Sequence, residues 1–283
     1  MAKDTFFPKN LTLNLRGKLM DLSRPKVMGI INITPDSFYA GSRHQNIDDA
    51  VTQAAKMLSE GAAILDIGAY SSRPGATDIS AQEETDRLLP AIEAIVKAYP
   101  DAVLSVDTFR ATVAEAAINV GGHIINDISG GTLDPEMFAT VAKLQVPYIL
   151  MHMKGTPQNM VKQAHYANVV TEVYDYLKER CQKLHALGVK DIIVDPGFGF
   201  AKTHDQSYEL MRHLSDFNIL GLPLLVGISR KRMIYQLTGG TAAGALNGTT
   251  VLNTIALTKG ANILRVHDVK EAVEAVQLWE MCG

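Results

Sequence analysis

Seven of the eight short apolar runs along this chain end in side chains able to carry charge, protons or a ligand. Asn32 closes the first run, Asp107 the third, Asn126 and Asp127 the fourth, His152 the fifth and Asp195 the sixth. Ser229, Arg230 and Lys231 close the seventh, and Arg265 and His267 the eighth. One Asp or Asn after an apolar run is an ordinary turn former or helix cap. Recurrence at nearly every run end points instead to one polar site holding both carboxylates and cations. Asp195, Asn126 and Lys231 together offer an acceptor pair, an amide and a cation, a set suited to the polar edge of a flat heterocycle with adjacent N–H and C=O groups. A purely structural Asp195–Lys231 ion pair is the competing reading. Arg265 and His267 alternate on one run and so face the same side, and Asp268 opens a helix whose free N–H groups attract anions. Phosphate or pyrophosphate fits that corner.

Two glycine- and proline-bearing stretches directly follow runs: 32–41, with Asn32, Phe38 and Gly41, and 68–75, with Ser72, Arg73, Pro74 and Gly75. Loops of this kind read as covers over a substrate, with Phe38 excluding water. The chain shows no Ser-His-Asp or Cys-His set at a recognisable spacing, and its scattered His and Asp residues make no zinc motif. Lys231 between Arg230 and Arg232 leaves a Schiff-base aldolase open as a rival, and borohydride trapping would reveal it. A site that grips a flat heterocycle for a transfer involving no pyrophosphate is a second rival, which Arg265 and His267 oppose.

These residues need a frame that brings run ends together. The runs at Val27–Asn32, Ala63–Gly68, Val103–Asp107, His123–Asp127, Pro147–His152, Ile192–Pro196, Leu224–Ser229 and Ile263–His267 are apolar throughout and β-branched, as strands buried on both faces are. Between them lie stretches of helical spacing, such as Ala50, Val51, Ala54 and Leu58 ahead of Gly61, and Val170, Val173, Leu177, Cys181 and Leu184 ahead of Gly188. Eight strands alternating with helices predict an α/β fold, a (β/α)8 TIM barrel in one domain over 1–283, with an N-terminal extension over about 1–25. A doubly wound open sheet is the alternative. In the extension Leu11, Leu13 and Leu15 alternate with Thr12 and Asn14 before Arg16 and Gly17, which predicts a short β-hairpin closing the barrel bottom. The last helix is expected to open with a capping box of Asp268 and Glu271.

Composition agrees with a packed enzyme domain. The 283 residues are 47% hydrophobic and 20% charged, enough to bury a large core. With 27 basic residues against 30 acidic the net charge is −3, which argues against a broad nucleic-acid or anionic-membrane surface and favours small-molecule chemistry. Cys181 and Cys282 are too few for a disulfide scaffold and fit a reducing, cytoplasmic setting. No apolar run approaches the roughly 18 residues of a membrane span.

The ordered motifs from Val27 to about Val276 closely resemble dihydropteroate synthase, the folate-pathway family targeted by sulfonamides. They are Met28-Gly29-Ile30-Ile31-Asn32-Ile33-Thr34-Pro35-Asp36-Ser37-Phe38, Ser72-Arg73-Pro74-Gly75, Ser105-Val106-Asp107-Thr108, Ile125-Asn126-Asp127-Ile128-Ser129-Gly130-Gly131, Met151-His152-Met153-Lys154-Gly155-Thr156-Pro157, Asp195-Pro196-Gly197-Phe198-Gly199-Phe200-Ala201-Lys202-Thr203, Gly227-Ile228-Ser229-Arg230-Lys231 and Arg265-Val266-His267-Asp268. The resemblance implies a dimeric (β/α)8 transferase that joins 6-hydroxymethyl-7,8-dihydropterin pyrophosphate to p-aminobenzoate. It places the pterin on Asp107, Asn126, Met151, Asp195, Gly227 and Lys231, and the pyrophosphate on Asn32, Ser72, Arg265 and His267. It borders p-aminobenzoate with Phe38, Ser72, Arg73, Pro74, Phe200, Ser229 and Lys231, makes Asn32 a Mg²⁺ ligand, and assigns catalysis to Asp107, Lys231, Arg265 and His267. The second loop departs from the family's usual Glu-Ser-Thr-Arg-Pro-Gly, with Tyr70 for Glu and Ser72 for Thr, and Tyr39-Ala40 replaces the usual Ser-Asp of the first.

Overall fold

The computed structural model describes residues 9–33, 42–72 and 78–282. Its strands are β1 (Thr12–Leu15), β2 (Lys18–Asp21), β3 (Lys26–Asn32), β4 (Ile64–Gly68), β5 (Leu104–Asp107), β6 (Ile124–Asp127), β7 (Tyr148–Met151), β8 (Ile192–Asp195), β9 (Leu225–Val226) and β10 (Ile263–Val266). Its helices are α1 (Ser42–Ser59), α2 (Ala81–Ala98), α3 (Ala111–Asn119), α4 (Met137–Leu144), α5 (Val169–Ala186), α6 (His204–Arg212), α7 (Arg232–Leu237), α8 (Leu246–Thr258) and α9 (Val269–Cys282), and 3₁₀ turns lie at Met160–Gln163 and Leu214–Leu220. The eight strands β3 to β10 are parallel and follow the order β8-β7-β6-β5-β4-β3-β10-β9. The ring closes between β8 and β9 through one bridge, Val194 to Leu224, reinforced by the Val194 amide donating to Pro223 O at 2.9 Å. This is the expected barrel.

Strand alternation sorts the apolar side chains into two bodies. Val27, Leu65, Ile67, Leu104, Val106, Ile125, Leu150, Val194, Val226 and Leu264 face outward into the shell formed with the helices. Met28, Ile64, Ile124, Ile149, Ile193, Leu225 and Ile263 face inward at the barrel bottom, where Leu13, Leu15 and Leu22 plug it. The plug is the predicted hairpin: β1 and β2 pair antiparallel with Leu15 opposite Lys18. Arg16 and Gly17 between them both take positive φ, 53° and 94°, as the tightest hairpin turn requires.

Local sequence sets the helix starts. Ser80 caps α2 by accepting from the Glu83 amide at 3.1 Å, and Thr203 with Gln206 forms a capping box on α6. At α9 the expected box is not what Asp268 makes. Its two carboxylate oxygens accept from Arg230 Nη2 at 2.7 Å and Nε at 2.8 Å, a bidentate pair that ties the β9 loop to the start of α9. β9 is shorter than the Leu224–Ser229 run, because a ladder to β10 forms only at Leu225 and Val226. Among the described residues no helix is long and apolar enough to cross a membrane.

Candidate active site in the barrel mouth

One alternation step above the apolar floor, every inward position except Ile30 on β3 and Met151 on β7 changes character. Asp66 on β4, Asn126 on β6, Met151 on β7, Asp195 at the end of β8, Gly227 past β9 and Arg265 on β10 stand two residues beyond Ile64, Ile124, Ile149, Ile193, Leu225 and Ile263. On β5 Ser105 pairs with Asp66 of β4, and Asp107, two residues on, pairs with Asn126 of β6. Buried apolar strands thus carry a polar layer at the C-terminal end of the barrel, the end from which such folds operate.

Arg265 spans this layer. Its Nε donates to Asp66 Oδ2 at 2.5 Å and its Nη2 to Asp107 Oδ2 at 2.6 Å, while Asn126 Nδ2 donates to the same Asp66 oxygen at 2.9 Å. Burial raises the Asp107 pKa to about 7, with Asp66, Glu84 and Asp127 adding to the rise and Arg265 opposing it. Burial works against the Arg265 charge, but Asp66 and Asp107 overcome that and push its pKa further up. Asp66 is fully buried and its Oδ1 has no partner. Asp66 lies inside its apolar run and not at its end, so run ends alone do not disclose it, whereas counting every second residue along β4 does.

Asp195 and Lys231 lie across the mouth. Asp195 Oδ1 accepts from the Gly197 amide at 2.7 Å, and a methyl group placed on Gly227 would sit 4.0 Å from its Oδ2. Burial raises the Asp195 pKa against the pull of Lys231. Lys231 donates to the Phe198 carbonyl, and its ammonium lies 4.6 Å from the centre of the Phe200 ring. Burial brings the Lys231 pKa down to about 8, partly offset by Asp195. No Asp195–Lys231 contact within ion-pair distance forms, so the structural salt bridge is not what holds the two. Both keep polar atoms for a ligand between them.

The β8 loop is fastened from behind. Lys202 Nζ donates to the carbonyls of Gly197 at 2.9 Å and Phe200 at 3.0 Å and to His152 Nδ1 at 2.9 Å. His152 is buried and held neutral by burial and by Lys202, and it packs edge-on against Tyr176 at 4.7 Å. Gly197 takes φ 71°, and a Cβ there would fall 2.1 Å from the His152 carbonyl, so this turn admits only glycine. Asp127, also fully buried, accepts from the Ser129 and Gly131 amides and from the Tyr148 hydroxyl and shapes the β6 loop. His152 and Asp127, both read from run ends, therefore support the mouth and do not line it.

The remaining candidates stand at the rim. Met151 lies in an apolar cluster with Ile128, Met153, Met160 and Ala201, against which Phe200 packs, a suitable wall for a flat ring. Ser229 Oγ accepts from the His267 amide at 3.1 Å and lies 3.0 Å from His267 Nδ1. Asn32 ends β3 exposed, and Ser72 is half-buried beyond β4. Tyr70, the unusual residue of the second loop, accepts from Gln158 Nε2 at 2.8 Å and packs edge-on against Phe109 at 4.9 Å, with Arg110 over both rings. Phe38, Arg73 and Pro74 lie outside the described residues. Among the described residues no group of His, Cys, Asp and Glu could hold a metal by itself.

The family model described as pterin binding enzyme matches residues 28–267. Dihydropteroate synthase of Escherichia coli is 42% identical over 272 residues, covering 95% of this chain and 96% of that protein. The structure of Yersinia pestis dihydropteroate synthase in a sulfonamide drug complex superposes with a TM-score of 0.90 at 43% identity, covering 96% of this chain and 98% of that one. The Xanthomonas albilineans enzyme in complex with 7,8-dihydropteroate gives a TM-score of 0.85 at 37% identity, covering 96% and 98%.

Proposed function

The chain belongs to the dihydropteroate synthases among the pterin-binding enzymes, and on that premise we propose how its barrel mouth condenses 6-hydroxymethyl-7,8-dihydropterin pyrophosphate with p-aminobenzoate. The observation that carries the reading is the polar layer itself. Asp195 borders the space left by Gly227, Asn126 and Lys231 add an amide and a cation to the same mouth, and Met151 stands beside Asp195 across the β7–β8 ladder. A pterin ring laid there meets acceptors with its N–H edge and an apolar face with its plane.

The bond that breaks joins the pterin CH₂ to a pyrophosphate oxygen, and its electron pair leaves with the pyrophosphate. The cation that remains is delocalised over the electron-rich dihydropterin, where the carboxylates of Asp107 and Asp195 favour it. Arg265 and His267 receive the departing anion. The amine nitrogen of p-aminobenzoate then forms the new C–N bond and sheds its proton afterwards, so no strong base is required. Phe200, Ser229 and Ser72 border the amine's approach, and the resemblance adds Phe38, Arg73 and Pro74, which lie outside the described residues.

The donors present fit Mg²⁺ only as a passenger of the substrate. The Asn32 side chain makes no hydrogen bond to a described residue and offers one neutral carbonyl, while no carboxylate cluster lies near it among the described residues. Mg²⁺ takes its ligands from phosphates and water as readily as from protein, so Asn32 would hold the ion together with the pyrophosphate. When bound there, the ion would neutralise charge on the leaving group.

A homodimer is proposed on the surface of α8. Val251 and Ile255 stand one turn apart and are 51% and 36% exposed, and Leu237 on the neighbouring α7 is 73% exposed. An apolar stripe on a surface helix calls for a covering partner. Both cysteines are unpaired thiols, which suits a reducing cytoplasm.

Pyrophosphate release from the two substrates, measured with and without Mg²⁺, tests the reading. Release should require both the pterin pyrophosphate and the intact polar layer, and Asn32→Ala should remove most of the Mg²⁺ stimulation. No release with both substrates and Mg²⁺ present would overturn the assignment.

A further inference from the structure

We propose that Asp66, on the floor of the mouth, is a positioning residue for the condensation, aiming Arg265 and Asn126 at the bound pterin pyrophosphate. The inference rests on the function above. Asp66 has no water-facing atom, and only one of its two oxygens is used. A buried carboxylate with an orphaned oxygen is costly, and the neighbouring inward positions Ile30 and Ile64 show that the barrel fills such places with apolar side chains. What Asp66 supplies is orientation. Its Oδ2 takes donors from two other strands, Arg265 Nε at 2.5 Å and Asn126 Nδ2 at 2.9 Å. With Nε and Nη2 turned to Asp66 and Asp107, the guanidinium keeps its other edge for an anion. With one N–H committed to Asp66, the Asn126 amide can turn only its carbonyl and one remaining N–H toward the pterin.

The same charge acts on Asp107. The groups facing that carboxyl are Asp66 from β4, Arg265 from β10, Glu84 from α2, Asp127 from β6 and Lys231 beyond β9. After burial, Asp66 is the largest contribution holding its pKa up at about 7. Neutralising Asp66 removes that repulsion and leaves Arg265 to Asp107 alone, and both changes lower the pH at which Asp107 ionises.

The test compares wild type, Asp66→Asn and Asp66→Ser for kcat/KM of the pterin pyrophosphate across pH 5 to 9, the KM of p-aminobenzoate, and thermal melting. The expected result is a loss of about tenfold or more in kcat/KM with the arylamine KM within about twofold. The acid limb, identified by its disappearance in Asp107→Asn, should move down by about one unit. A role as structural filler predicts a changed melting temperature with kcat/KM and the limb unmoved, and that result would overturn the proposal. Should neither variant fold, the wild-type limb decides: near pH 7 it supports the action of Asp66 on Asp107, whereas a limb in the ordinary carboxylate range refutes it. Wild-type turnover with the limb unmoved in the variants defeats the inference alone, while absence of wild-type turnover defeats the function.

Discussion

At the scale of single residues, the mouth sets carboxylates and cations against one another, and Asp107, Asp195 and Lys231 each carry the mark of burial. Lys231 contributes little to the core, since its polar contact is one backbone carbonyl, yet it faces the place proposed for the pterin. Lys231→Ala should therefore lower kcat/KM about 100-fold or more while the melting temperature stays nearly unchanged, as for loss of a preorganised polar group. Turnover assays beside calorimetry check this, and wild-type rates would refute the assignment. Asp107 makes a second prediction through linkage. Its folded pKa of about 7 lies above the ordinary 3.8, so the native state binds more protons than the unfolded chain between those values. Stability should fall as pH rises from about 4 to about 7, with the penalty complete above that, and Asp107→Asn should flatten the slope. Melting curves across that range decide it.

The elements that hold these residues were largely legible in the sequence, for a physical reason: parallel strands covered on both faces must be apolar throughout, so they show as unbroken runs. The hairpin was legible from the alternation of Leu11, Leu13 and Leu15 and from Arg16-Gly17. Less legible were features that depend on partners from other elements. Asp268 looks like a helix cap until Arg230 arrives from the β9 loop to claim both its oxygens. Asp66 looks like an interruption of β4 until β6 and β10 bring it donors, and Lys202 looks like a loop cation until three groups of the β7 and β8 ends surround it. Sequence displays what an element needs along its own length and hides what it borrows across the barrel. The division between floor and mouth yields a prediction at this scale. Leu13 of β1 is almost fully buried against the inward floor. Leu13→Ala should cost about 2–5 kcal/mol of stability and leave kcat unchanged at temperatures where the protein stays folded, as measured by denaturant unfolding and assay together. A drop in kcat without loss of stability would show the floor and the mouth to be coupled.

At the scale of the whole molecule, the apolar stripe on α7 and α8 predicts association. Sedimentation should report twice the mass of one chain, and replacing Val251 and Ile255 by Glu should return it to a single chain with the barrel intact. A wild-type monomer at micromolar concentration would dismiss the dimer. The barrel also has one unequal joint. Seven neighbouring strand pairs share ladders, whereas β8 and β9 meet at the single Val194–Leu224 bridge. Asp195 stands on one side of that joint, and Gly227 and Lys231 stand on the other. A substrate gripped by all three would act as a clasp across the molecule's weakest hoop, so that filling the site and closing the barrel become the same event. Amide hydrogen exchange would display it: residues of β8 and β9 should gain far more protection from bound pterin than those of β4 and β5. Equal protection around the ring would mean that the joint does not open by itself. If the clasp holds, each round of product release loosens the hoop, and the empty enzyme is the form that heat and proteases find first.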